Sequence, residues 1–171
     1  MLQYFHLFLD IALLRRKPQE VPASRTLLAL SVAAAVVSYV LAISSQYTVL
    51  GALLRAALDV AFLAAFLYLL LLWSRYPNRF TQAFTALCGT GTLLQLISWP
   101  LVGLADPDGM AGPSTRGLAA LLLLGTTIWG VFVIAHILRH TLERSLSLGA
   151  ALAVLYAIAA SLLAVTLFPP E

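Results

Sequence analysis

The sequence predicts an all-α fold: a polytopic membrane protein whose five transmembrane helices form a bundle, preceded by an N-terminal amphipathic helix at the membrane interface. Three observations predict it. Of 171 residues, 61% are hydrophobic and 10% charged, whereas soluble domains carry about 25% charged residues, so there is too little charge to cover a water-exposed particle. The mean hydropathy is +0.96. Five apolar stretches are each long enough to cross a hydrocarbon layer of about 30 Å, which takes about 20 helical residues. The same composition excludes a disordered chain, a disulfide framework built on the single Cys88, and a basic nucleic-acid binder, because the +3 net charge is spread thinly. Membrane lipids are the expected surroundings, and no nucleic acid is an expected partner.

Residues 1–17 form the first element. A secretory signal places its positive charge before the apolar run, whereas here the apolar run 2–14 precedes Arg15, Arg16 and Lys17. At helical spacing Gln3, His6, Asp10 and Lys17 share a stripe, with Leu2, Phe5, Phe8, Leu9 and Ala12 elsewhere. That pattern predicts a helix lying in the cytoplasmic interface. Residues 18–25 are a linker in which Pro18 and Pro22 uncouple this helix from the first span.

The transmembrane domain, 26–168, holds spans at about 26–44, 53–73, 82–104, 117–138 and 146–168. Proline, glycine and charge mark each break between them as a turn, and residues 169–171 are a short tail. Lys and Arg are retained on the cytoplasmic side of short loops. Arg15, Arg16, Lys17, Arg25, Arg75, Arg79, Arg139 and Arg144 fall on one side, and only Arg55 and Arg116 on the other. This places the N-terminus in the cytoplasm and the C-terminus outside, and the residue usage suits a bacterial inner membrane.

Helices in lipid associate through small residues and polar groups, since apolar surface alone gives little drive. Ser31, Ala35, Ser38, Ala42 and Ser45 recur on the first span, and Gly149, Ala153, Ala157 and Ser161 on the fifth. The third carries Thr85, Cys88, Thr92, Gln95 and Trp99 on one side. Helix packing is their main expected use. Gly89-Thr90-Gly91 loosens the third span, and Pro100 removes a backbone donor, which predicts a kink near Trp99. Cys88 reads as a small packing residue.

Arg55 and Asp59 stand out, because an ionisable group inside a span marks a functional site by default. Four residues apart, they share one helical face near the outer end of the second span. They either neutralise each other, or tie this helix to Gln95, Gln46 or Tyr47, or form a proton, ion or lipid-headgroup site. Gln95 lies deep enough that an unpaired amide costs several kcal/mol, so it is expected to face another helix.

At the inner end of the fourth span, His136, His140 and Glu143 fall on one helix face at a spacing that suits three zinc ligands. Metalloprotease helices carry a Glu directly after the first His, however, and Ile137 stands there. A cationic cluster at a helix C-terminus also suits the helix dipole and anionic headgroups. The basic-cluster reading is preferred, and no metal or other cofactor is expected. No serine has the glycine context of an exposed nucleophile, and no phosphate loop occurs, so the chain is expected not to be an enzyme. The loop Asp106-Pro107-Asp108-Gly109 reads as a tight turn.

The Arg15-Arg16-Lys17-Pro18 lead-in, and the Arg79 to Phe84 approach to Gly89-Thr90-Gly91, sit within a layout of cytoplasmic N-terminus, five close spans and almost no tail. This layout resembles the Yip family of Rab-interacting membrane proteins and their bacterial relatives. The Asp-Leu-Tyr-Gly-Pro motif of the eukaryotic members and their Gly-Tyr pair are absent, so Rab binding is not carried over. The resemblance implies a non-enzymatic membrane module that works through partners. The leading expectation is a scaffold or assembly factor that packs against a partner membrane protein or a second copy of itself. The alternative is a small transporter or lipid-handling protein using Arg55, Asp59 and Gln95.

Overall fold

The computed structural model describes residues 2–44, 46–107 and 109–168. Ser45 in the small-residue stripe, Asp108 in the loop turn and the expected tail 169–171 lie outside the described residues. Among those described there is no strand. The elements are α1 (Leu2–Ala12), α2 (Arg25–Ile43), α3 (Val49–Trp73), α4 (Phe80–Ala105), α5 (Pro113–Leu142) and α6 (Leu146–Leu167), with 3₁₀ turns at Pro18–Glu20 and Pro77–Arg79. Helices α2 to α6 are long and apolar enough to cross a membrane, and the chain is an integral membrane protein of all-α class.

Polar caps set the helix starts. The hydroxyls of Ser24, Thr48 and Ser145 accept the N–H groups of Leu27, Gly51 and Leu148 at 3.3, 3.2 and 3.3 Å, satisfying donors that a helix N-terminus leaves open. Pro113 opens α5, where its missing N–H costs nothing. Helix α4 stays helical through Gly89, Gly91 and Pro100.

Chain order is not the order of packing. Helix α2 packs on α3 and α4, α4 on α5, α5 on α6, and α6 returns to α3, so the five close into a ring. The small residues face inward: Ser31, Ala35 and Ser38 of α2, Ala52 and Ala56 of α3, and Gly149 and Ala153 of α6 are buried. The backbones of α5 and α6 nearly touch, since a Cβ on Gly149 would stand 2.6 Å from the carbonyl oxygen of Ala135. Most of the exposed large apolar side chains are Leu, Val and Ile, as lipid requires.

Helix α1 is docked on α4 and α5 rather than lying apart from the bundle. Its buried face is centred on Leu7, Ile11 and Ala12, while Phe5 and Leu9 stay exposed, so the docked face is rotated from the one the spacing suggested. Phe8 rests on Gly89, nine residues along α4 from Phe80, or about 14 Å at 1.5 Å per residue. The helix stops at Ala12, well short of Lys17, because Leu14 takes a left-handed φ of 61°. The Ala12 carbonyl accepts the indole N–H of Trp129 at 2.9 Å, which satisfies one of the acceptors left open at a helix C-terminus.

One end of the ring is knitted by polar bonds. Gln82 donates to the Val21 carbonyl at 2.9 Å, Gln19 to that of His140 at 2.5 Å, and Arg79 to that of Thr141 at 3.0 Å. The linker and the α3–α4 and α5–α6 turns meet there. Arg25, Arg75, Arg79, Arg139 and Arg144 share this basic end, with Arg16 and Lys17 beside it, whereas Arg55 and Arg116 stand toward the opposite end.

Candidate functional site

Every spanning helix contributes to one cavity of about 300 Å³ in the middle of the ring. Tyr39 of α2, Asp59 of α3, Cys88 and Gln95 of α4, Gly130 of α5 and Tyr156 of α6 all line it, between walls such as Leu63, Leu87 and Val133. It can form because small residues on α5 and α6 leave room where larger ones would fill it, and because Gly91, also on the lining, presents no side chain at all.

Among the described residues, Asp59 is the only charged side chain on that lining. Its Oδ1 faces the Tyr156 hydroxyl at 3.5 Å, longer than the usual 2.5–3.0 Å or so of an O–H···O bond. The Tyr156 ring is held from the other side by Phe62 and Phe66, at centroid distances of 5.7 and 5.4 Å.

Arg55 forms no ion pair with Asp59. Among the described residues the ion pairs are Arg16–Asp10, Arg16–Glu20 and Arg79–Glu143. The Arg55 guanidinium instead donates to the Tyr39 hydroxyl at 3.2 Å and to the Tyr47 hydroxyl, and lies 4.8 Å from the Tyr47 ring centroid. The four-residue spacing does put both residues on one face, but the long arginine reaches toward the helix end while the short aspartate stays at the cavity. A small crevice lined by Tyr39, Arg55 and Asp59 adjoins the cavity on that side.

Gln95 also reaches the lining, with its Oε1 accepting the Ser38 hydroxyl of α2 at 2.5 Å. The structure thus brings Asp59 and Gln95 to one cavity and leaves Arg55 outside it. Sequence reasoning missed Tyr39 and Tyr156 as members of this site. The signal was available: tyrosine belongs at the ends of membrane helices, and a hydroxyl at mid-span, where Tyr156 falls in α6, needs a partner.

The second expected cluster separates. The His136 and His140 rings meet edge to face at 4.6 Å. His136 Nε2 lies 2.9 Å from the Arg16 carbonyl; a carbonyl only accepts, so this nitrogen carries the proton and is not open to a metal. Glu143 does not join them as a third ligand, because α5 ends at Leu142 and Glu143 turns away with a left-handed φ of 53°. Its carboxylate takes Arg79 at 2.5 Å and the Tyr76 hydroxyl at 3.0 Å, and these bonds, Arg79 first, hold it below the usual carboxylate pKa. Among the described residues no group of three His, Cys, Asp or Glu side chains is placed to hold a metal ion. Cys88 is a buried free thiol.

No protein-family model, curated protein or solved structure matches this chain.

Proposed function

We propose that this integral membrane protein is a non-enzymatic solute-handling module, a small transporter or lipid-handling protein whose working element is the cavity around Asp59. The observation that carries the reading is the convergence of all five spans on one cavity that holds an intramembrane carboxylate. Ionisable groups at such depth are costly unless they pair or mark a path. In the small-residue ridges that favoured a scaffold, Ser31, Ala35, Ser38, Gly149 and Ala153 are buried in the ring itself, which leaves those residues unavailable to a partner.

The same reading places the N-terminus in the cytoplasm and the chain in a bacterial inner membrane. Its support is the eight-to-two division of basic residues between the two sides and the Yip-like layout of five close spans. Reporter fusions in the turns 74–79 and 106–112 test the orientation; a cytoplasmic signal from the second would reverse it. For function, the full chain is reconstituted into liposomes and small-solute flux is measured across a chemical panel. Flux above that of protein-free vesicles, lost in Asp59→Asn, supports the proposal. A chain that moves nothing and purifies in fixed ratio with another membrane protein overturns it.

A scaffold or assembly role, with a partner membrane protein or a second copy, is the second reading. It is favoured by the first half of α5, where Ala119 alone is buried between Pro113 and Trp129.

A further inference from the structure

Resting on the solute-handling reading, we infer that the cavity takes a small organic ammonium ion with a compact apolar body, and that Asp59 is its counter-charge. The site's chemistry selects this class by elimination. An ionised carboxylate offers about four lone-pair positions, yet Asp59 receives one long hydroxyl contact and no ion pair. Leaving a charge so poorly matched inside an apolar ring is unfavourable unless a proton neutralises it or a cation completes it, and a ligand that carries its own N–H donors and positive charge does the second.

An anion is excluded by the sign of the only charge on the lining. A bare divalent cation asks for six or more oxygen ligands, and one carboxylate with scattered hydroxyls does not supply them. The volume of about 300 Å³ is at the lower end of ligand pockets, which run from about 300 to 1,000 Å³, so a whole lipid does not fit. An ammonium group satisfies Asp59 with its N–H donors. The leucine and valine walls and the tyrosine rings then cover a small hydrocarbon body, and an aromatic face adds its own attraction for a cation. Arg55 leaves the position open, since two tyrosines hold its guanidinium outside the cavity.

The test uses the full chain in phosphatidylcholine nanodiscs, titrated calorimetrically with benzylammonium, benzyl alcohol and benzoate against empty discs. Benzylammonium is expected to bind saturably, and the alcohol and benzoate at least tenfold more weakly. Asp59→Asn is expected to remove that preference. Gly91→Leu, whose added side chain begins in open space within the lining, is expected to abolish binding by filling the cavity. If Asp59→Asn fails to fold, the three-probe comparison and Gly91→Leu decide the matter. Equal binding of the alcohol and the ammonium overturns the ammonium assignment and leaves the solute-handling reading in place; no saturable binding of any probe to the folded chain overturns both.

Discussion

Phe8 occupies the space that Gly89 leaves empty: a Cβ on Gly89 would stand 2.6 Å from Cδ1 and Cε1 of the Phe8 ring. The ring belongs to α1 and the glycine to the most buried stretch of α4, so this contact helps to hold the N-terminal helix docked. Gly89→Val is expected to displace α1 and leave the five-helix ring intact, because overpacking costs about 1–3 kcal/mol, comparable to what one short helix gains by docking. Tryptic cleavage after Arg15 or Arg16 would then rise about tenfold, the ratio given by 1.4 kcal/mol. An unchanged cleavage rate with a normal elution profile would count against the contact.

Two glycines, one on α6 and one on α4, are expected to respond oppositely to alanine. A Cβ at Gly149 meets the Ala135 carbonyl oxygen at 2.6 Å and the Arg139 backbone nitrogen at 3.2 Å, and backbone cannot step aside as a ring can. Gly149→Ala should therefore cost at least about 2 kcal/mol by forcing α6 away from α5. Gly91 has nothing within 4 Å of its Cβ position, so Gly91→Ala should gain up to about 1 kcal/mol from helix propensity. Reversible unfolding in mixed micelles measures both; equal effects would refute the packing described.

The Ser38–Gln95 bond ties α2 to α4 within the ring. Hydrogen bonds between membrane helices contribute about 0.6 kcal/mol on average, so a double-mutant cycle of Ser38→Ala and Gln95→Leu should return a coupling of about that size. A coupling indistinguishable from zero would show that the two side chains act independently.

At the basic end, Arg79 and Tyr76 stabilise ionised Glu143, which lowers its folded-state pKa. A group with a depressed folded pKa contributes stability above its unfolded value and loses it as pH falls through the folded one, while arginine stays charged throughout. The stability difference between the wild-type chain and Glu143→Gln should accordingly be constant near neutrality and vanish in acid, below the ordinary glutamate range. A gap that widened on acidification would contradict the sign. This prediction is independent of the cavity.

The spans were legible because hydropathy needs no knowledge of neighbours: 26–44 and 146–168 were expected and Arg25–Ile43 and Leu146–Leu167 are seen. The larger differences fall where capping chemistry overrides hydropathy. Thr48 starts α3 at Val49, and Pro113 starts α5 there, each about one turn ahead of the apolar run. Partner choice was far less legible. Spacing along one helix placed Arg55 beside Asp59 and the preceding turn offered it Tyr47, but only the ring order brings Tyr39 to Arg55 and Tyr156 to Asp59. Likewise, the face of α1 that is covered depends on the groove made by α4 and α5, which lies far along the chain.

That distance bears on how the molecule assembles. The Ala12 carbonyl waits for the indole of Trp129, 117 positions later, and the Arg16 carbonyl for His136, 120 positions later. Helix α1 therefore has no complete seat until α4 and then α5 are in place. Its docking has to await helices made after it, and an interrupted nascent chain would leave α1 exposed to whatever holds unfinished membrane proteins.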